Sequence, residues 1–296
     1  MRRALSVFTC FSLILAVVLA QETQDKPKPD LVNEKYGSNE RNVFDLWKAK
    51  SDKPAPLVIF IHGGGFRNGS KEGIPAPLIH KCLEAGISVA SINYRLTDVA
   101  PYPAQMLDSA RAVQYLRLKA KEFNLDAKRF AAMGGSAGAG ISLWLAFHND
   151  LGDKKAEEPV LRQSTRVICA LGINAQCSYD PRWIKKHIGG RAHETPALQL
   201  LFRVKPDELE SDKSAKLYED ASPLNHLTKD DPPVRLIYTG NDEPSDKPGE
   251  GIHSRKFGEI LKAEMEKIGL LCELSVGNGG VEDQVKFLVK NLKPKE

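Results

Sequence analysis

The chain has 296 residues, 42% hydrophobic and 27% charged, with 42 Lys+Arg against 38 Asp+Glu for a net charge of +4. This composition supports a buried core and excludes wholesale disorder. A charge so small and so dispersed excludes nucleic acid as the main partner, and five cysteines are too few for a disulfide scaffold.

The chain opens with Met1-Arg2-Arg3 and an uncharged, largely apolar stretch over residues 4–20, ending in Val18-Leu19-Ala20 before Gln21. A basic start, an apolar middle and a small residue before the cut mark a secretory signal peptide. The expectation is a secreted or periplasmic protein, cleaved near Ala20 and free of the membrane afterwards. The rival, a retained anchor, would sit at the short end of what spans a bilayer. Residues 21–41, with Lys26-Pro27-Lys28-Pro29, read as a flexible leader.

Residues 42–47 suit an entry strand. Leu57-Val58-Ile59-Phe60-Ile61 is a continuous apolar run behind Pro54 and Pro56, the pattern of a strand buried on both faces. Comparable runs follow at 87–94, 130–133, 166–171, 234–238 and 271–276. Helix-length stretches lie between them at 77–85, 104–123, 137–147, 252–268 and 281–292. In 104–123, Met106, Leu107, Ala110, Val113, Leu116 and Leu118 recur near the helical period. The alternation predicts an α/β protein, a mainly parallel sheet covered on both faces, as one domain over residues 42–294. Residues 172–233 break the alternation. They are expected to form a long irregular insertion over the sheet's carboxyl edge, where α/β proteins bind ligands. Cys82, Cys169, Cys177 and Cys272 remain after signal removal; they allow three disulfide connectivities or four buried thiols.

Gly134-Gly135-Ser136-Ala137-Gly138 is a G-x-S-x-G that follows a predicted strand and opens a predicted helix. A serine at so sharp a bend needs small neighbours, and its hydroxyl then stands clear at the sheet's edge beside the positive end of the helix. His62-Gly63-Gly64-Gly65-Phe66 directly follows the first buried strand. Its glycines let backbone amides face a small anion. With the amide of Ala137, Gly64 and Gly65 suit an oxyanion hole for a tetrahedral acyl intermediate. No phosphate-binding glycine motif and no metal-ligand spacing occurs, so no metal or nucleotide is expected.

With these motifs the chain resembles the α/β-hydrolase superfamily, in particular the secreted esterases of hormone-sensitive-lipase and feruloyl-esterase type. Asn93-Tyr94-Arg95-Leu96, Tyr102-Pro103-Ala104-Gln105, and Asp108 with Arg111-Ala112 add to the resemblance. It implies the α/β-hydrolase fold, Ser136 as nucleophile, and Gly64, Gly65 and Ala137 as oxyanion donors. His62 would shape its loop, and Tyr94, Arg95 and Asp108 would brace the site. In this fold the acid follows the serine and precedes the histidine in the chain. Asp242, just after the 234–238 strand, is the candidate, with Glu243 as its neighbour.

The base departs from the pattern. The resembling enzymes carry histidine after the last strand; here Gly277-Asn278-Gly279-Gly280 places Asn278 there, and no histidine follows His253. Asparagine takes up no proton near neutral pH. His253, at the start of the 252–268 helix, is the leading candidate, with His226 and His193 in the insertion as alternatives. Two readings follow. One is a serine carboxylic-ester hydrolase acting without a cofactor on small-molecule or glycan esters. The other is an impaired relative that binds such esters without turnover.

Overall fold

The computed structural model describes residues 25–239, 244–277 and 279–293. The expected signal peptide at 1–20 lies outside them, as do Asp242, Glu243 and Asn278.

Strands form where branched and small apolar residues run together. In chain order they are β1 (Leu31–Lys35), β2 (Val43–Trp47), β3 (Ala55–Ile61), β4 (Ser88–Ile92), β5 (Leu125–Gly135), β6 (Cys169–Ile173), β7 (Val234–Tyr238) and β8 (Cys272–Val276). They make one sheet in the order β1-β2-β4-β3-β5-β6-β7-β8. β1, β2 and β4 pair antiparallel, and the remaining pairs are parallel. The helices are α1 (Ala76–Glu84), α2 (Ala104–Leu118), α3 (Ala120–Phe123), α4 (Ala137–Phe147), α5 (Pro181–His187), α6 (Pro196–Phe202), α7 (Ala215–Ala221), α8 (Lys256–Lys267) and α9 (Val281–Leu292).

Because successive strand side chains point to opposite faces, the central strands feed two cores. Leu57, Ile59 and Ile61 of β3 and Phe130 and Ala132 of β5 pack with residues of α2, α4 and α8. Val58 and Phe60 of β3 and Ala131 and Met133 of β5 pack with α1 and α9. The expected α/β-hydrolase architecture, a mainly parallel sheet with helices on both faces, is what the chain forms.

Three elements differ from expectation. Part of the expected leader is β1, tied to the sheet by Leu31 opposite Leu46; Trp47 Nε1 also donates to the Pro27 carbonyl at 2.7 Å. The expected irregular insertion holds α5, α6 and α7. Pro181 and Pro196 stand at the first helical positions of α5 and α6, and Asp180 and Thr195 accept the free amides of Arg182 and Ala197. The helix expected from residue 252 begins only at Lys256. Gly249 and Gly251, at φ +78° and +88°, hold a turn ahead of it. The four described cysteines are buried free thiols, and burial pushes those of Cys82, Cys169 and Cys272 up to about 12.

Candidate active site

Strand β5 ends at Gly135 and α4 begins at Ala137, so Ser136 occupies the bend between them. Its backbone has φ 52° and ψ −119°, a region that costs a non-glycine residue on the order of 1–3 kcal/mol. Hydrogen bonds on both sides hold it there. The Ser136 amide donates to the Ile173 carbonyl at 2.8 Å, and its carbonyl accepts from the Gly140 amide at 3.0 Å. The bend packs directly on β3: a Cβ at Gly138 would lie 2.0 Å from the Ile61 carbonyl oxygen, so only glycine fits.

The segment after β3 curls beside this bend. Gly64 has φ +103°, and a Cβ there would fall 2.2 Å from the Asn68 carbonyl oxygen. His62, at the root of the curl, is buried and stacks on Tyr94 with ring centroids 4.3 Å apart. Its Nδ1 donates to the Gly63 carbonyl at 2.8 Å, while Arg41 donates to its Nε2 at 3.3 Å. Burial, only partly relieved by the Gly63 carbonyl, lowers its pKa to about 4. His62 is thus a neutral spacer in the loop. Tyr94 braces the same loop by donating to the His62 carbonyl at 2.9 Å. Arg95 grips Asp108 through its backbone amide, Nε and Nη2, at 3.0, 2.8 and 2.6 Å.

The imidazole arrives from the turn between β7 and α8. Gln176, just beyond β6, donates from Nε2 to the Asn174 carbonyl at 2.9 Å and to the Ile252 carbonyl at 2.8 Å. That second bond fixes the residue next to His253. The Ser254 amide closes the turn on the Gly251 carbonyl at 2.9 Å. The result is a contact of 2.8 Å between Ser136 Oγ and His253 Nε2. Burial holds the His253 pKa below its usual 6.5, which favours the neutral ring. A neutral imidazole hydrogen-bonded to a serine hydroxyl can take the proton as the oxygen attacks.

The other candidate bases lie elsewhere. His226 Nε2 donates to the Asp220 carbonyl at 2.7 Å. His193 has Nε2 3.8 Å from Glu194 and 3.7 Å from Glu210. Asp242 lies outside the described residues, so the described site comprises the serine, the imidazole and the glycine loop.

Gly64, Gly65, Ser136, Ala137 and His253 line one cleft of about 400 Å³. Its opposite wall comes from the insertion: Gln176, Tyr179, Thr195, Ala197 and Leu198. Composition gave no way to identify Thr195, Ala197 and Leu198, although the Thr195-Pro196 helix start that positions them was present in the sequence. Trp183 packs instead against His187 and Phe257, with ring centroids 4.5 and 5.8 Å apart.

Residues 44–247 match the BD-FAE family, a match that ends before His253. Among curated proteins, the chain is 27% identical over 249 residues to Esterase LipC of Mycobacterium tuberculosis, covering 82% of this chain and 58% of that protein. It is 28% identical over 213 residues to the probable carboxylic ester hydrolase LipM of the same organism, covering 70% and 47%. The chain thus spans about half the length of these relatives. Among solved structures, an acetyl ester-xyloside bifunctional hydrolase from Caldicellulosiruptor lactoaceticus superposes with TM-score 0.64 at 25% identity, covering 84% of this chain and 85% of that one. Thermogutta terrifontis esterase 2, in a form phosphonylated by sarin, superposes with TM-score 0.69 at 19% identity, covering 93% and 100%. The sheet order agrees with these likenesses: the chain belongs to the BD-FAE family and has the α/β-hydrolase fold.

Proposed function

We propose that the protein is a serine carboxylic-ester hydrolase. The observation that carries this reading is the 2.8 Å contact between Ser136 Oγ and His253 Nε2. In this mechanism Ser136 Oγ attacks the ester carbonyl and passes its proton to His253 Nε2. The amides of Gly64, Gly65 and Ala137 stabilise the oxyanion of the tetrahedral intermediate. The intermediate collapses as His253 protonates the departing alcohol, leaving an acyl-serine. Water, deprotonated by the same imidazole, then releases the acid and restores Ser136. Asp242 is the acid proposed to orient the ring.

The substrate proposed is a small-molecule or glycan ester with a short acyl group. The size of the cleft and the likeness to an acetyl ester-xyloside hydrolase both support this. The N-terminal segment supports action outside the cytoplasm. The rival, an impaired ester-binding relative, rests on Asn278, yet a ring from another loop already meets the serine. The test is a fluorophosphonate probe and short-chain ester turnover on wild type and Ser136→Ala. Labelling and turnover should both vanish in the variant. Equal labelling of the two would reject Ser136 as nucleophile.

A further inference from the structure

Helix α4 starts beside Ser136 and gives way to His148 at its other end. There His148 meets Asp220, at the end of α7, and His226, in the short turn that follows. One metal-capable atom from each of the three lies within 4.8 Å of the others. His148 Nε2 is 3.8 Å from Asp220 Oδ1, and the two imidazole centroids are 4.5 Å apart.

The hydrogen bonds around the cluster decide which atoms remain available. His148 Nδ1 lies 2.9 Å from the Asn149 carbonyl oxygen, and His226 Nε2 lies 2.7 Å from the Asp220 carbonyl oxygen. A carbonyl only accepts, so each of these nitrogens carries the ring proton. The second nitrogen of each ring, Nε2 of His148 and Nδ1 of His226, is left with a lone pair. Asp220 Oδ2 takes the Tyr102 hydroxyl, which leaves Oδ1 for a further partner. Metal-binding histidines are commonly fixed in this way, with the distal N–H on a carbonyl and the other nitrogen on the ion. Trp144 stacks on the His148 ring with centroids 4.0 Å apart and limits its rotation.

We propose that His148 Nε2, His226 Nδ1 and Asp220 Oδ1 form a binding site for a divalent transition metal, zinc being the best match to two imidazoles and one carboxylate. Three protein ligands leave the fourth position of a tetrahedral ion to water. The site is remote from the serine bend, and its role is structural. The ion ties the end of α4 to the α7 segment. Ser222 of that segment accepts the Tyr179 amide at 2.8 Å, and the Leu224 amide donates to the Cys177 carbonyl at 2.9 Å. Zinc would therefore anchor the segment that carries the Gln176 and Tyr179 wall of the cleft.

The test is calorimetric titration of zinc chloride into the tag-free chain, with thermal melting as a second readout. One zinc per chain should bind, and the melting midpoint should rise. Cobalt(II) should occupy the same site and quench the fluorescence of Trp144. Asp220→Asn leaves the backbone carbonyl that holds His226 and still accepts from Tyr102, so it should fold normally. It and His148→Asn should each lose more zinc affinity than the roughly 10–100-fold that losing a residue merely supporting a ligand costs. His80→Asn, at a separate surface, should bind as wild type does. Absence of stoichiometric binding to wild type, or wild-type affinity in folded Asp220→Asn and His148→Asn, would overturn the proposal.

Discussion

Replacing His253 and restoring a histidine at Asn278 separates the two readings of the sequence most sharply. The 2.8 Å contact makes His253 Nε2 the acceptor for the Ser136 proton. A positioned general base contributes typically about 10²–10⁴-fold. At ~1.36 kcal/mol per factor of ten, His253→Ala should raise the acylation barrier by roughly 2.7–5.4 kcal/mol. Asn278→His should change turnover by less than about threefold, the scale of a substitution that removes no working group, since the serine already has its imidazole. The assay is kcat/KM on a short-chain nitrophenyl ester for wild type, both single variants and the double variant. Each protein should also be checked for an unchanged urea midpoint. Two results would refute the reasoning: near-wild-type kcat/KM in His253→Ala, or a gain of orders of magnitude in Asn278→His alone.

Two further outcomes follow from the same geometry. Because burial lowers the His253 pKa and the base works as the neutral ring, activity should persist as pH falls to 6.5 and be lost only below it; a kcat/KM profile with its acid midpoint at or above 6.5 would contradict this. Gln176→Leu removes the amide that holds the Ile252 carbonyl. It should lower kcat by roughly 10²-fold, the cost of a misplacement of about 1 Å, with little effect on KM; a change confined to KM would show that Gln176 merely lines the cleft.

The sheet was legible in the sequence because its central strands are buried on both faces, as in Leu57-Val58-Ile59-Phe60-Ile61, a short β-branched run bounded by turn signals. The serine bend and the glycine loop were legible because sterics restrict them to small residues, as Gly138 and Gly64 show. The leader was misjudged because β1 is a short edge strand with only partial burial, its pattern set by pairing with β2 rather than by composition. The insertion read as irregular because α5, α6 and α7 are each seven residues long, too short for a helical period to emerge. The starts of α5 and α6 were nevertheless written in Asp180-Pro181 and Thr195-Pro196. The approach of His253 to Ser136 depends on a turn pinned by Gln176, a contact across 76 residues that no local pattern encodes. The meeting of His148 with Asp220 and His226 is hidden for the same reason.

An imidazole delivered from the turn before α8 leaves the last strand and helix without a chemical duty. In the proposed mechanism β8 and α9 serve as cladding, and their sequence is free to drift as long as Cys272 of β8 and Val285, Phe287, Leu288 and Leu292 of α9 keep the two cores apolar. Related chains with any residue at the Asn278 position could then be competent catalysts. A survey that counts activity by the final histidine alone would discard them as dead.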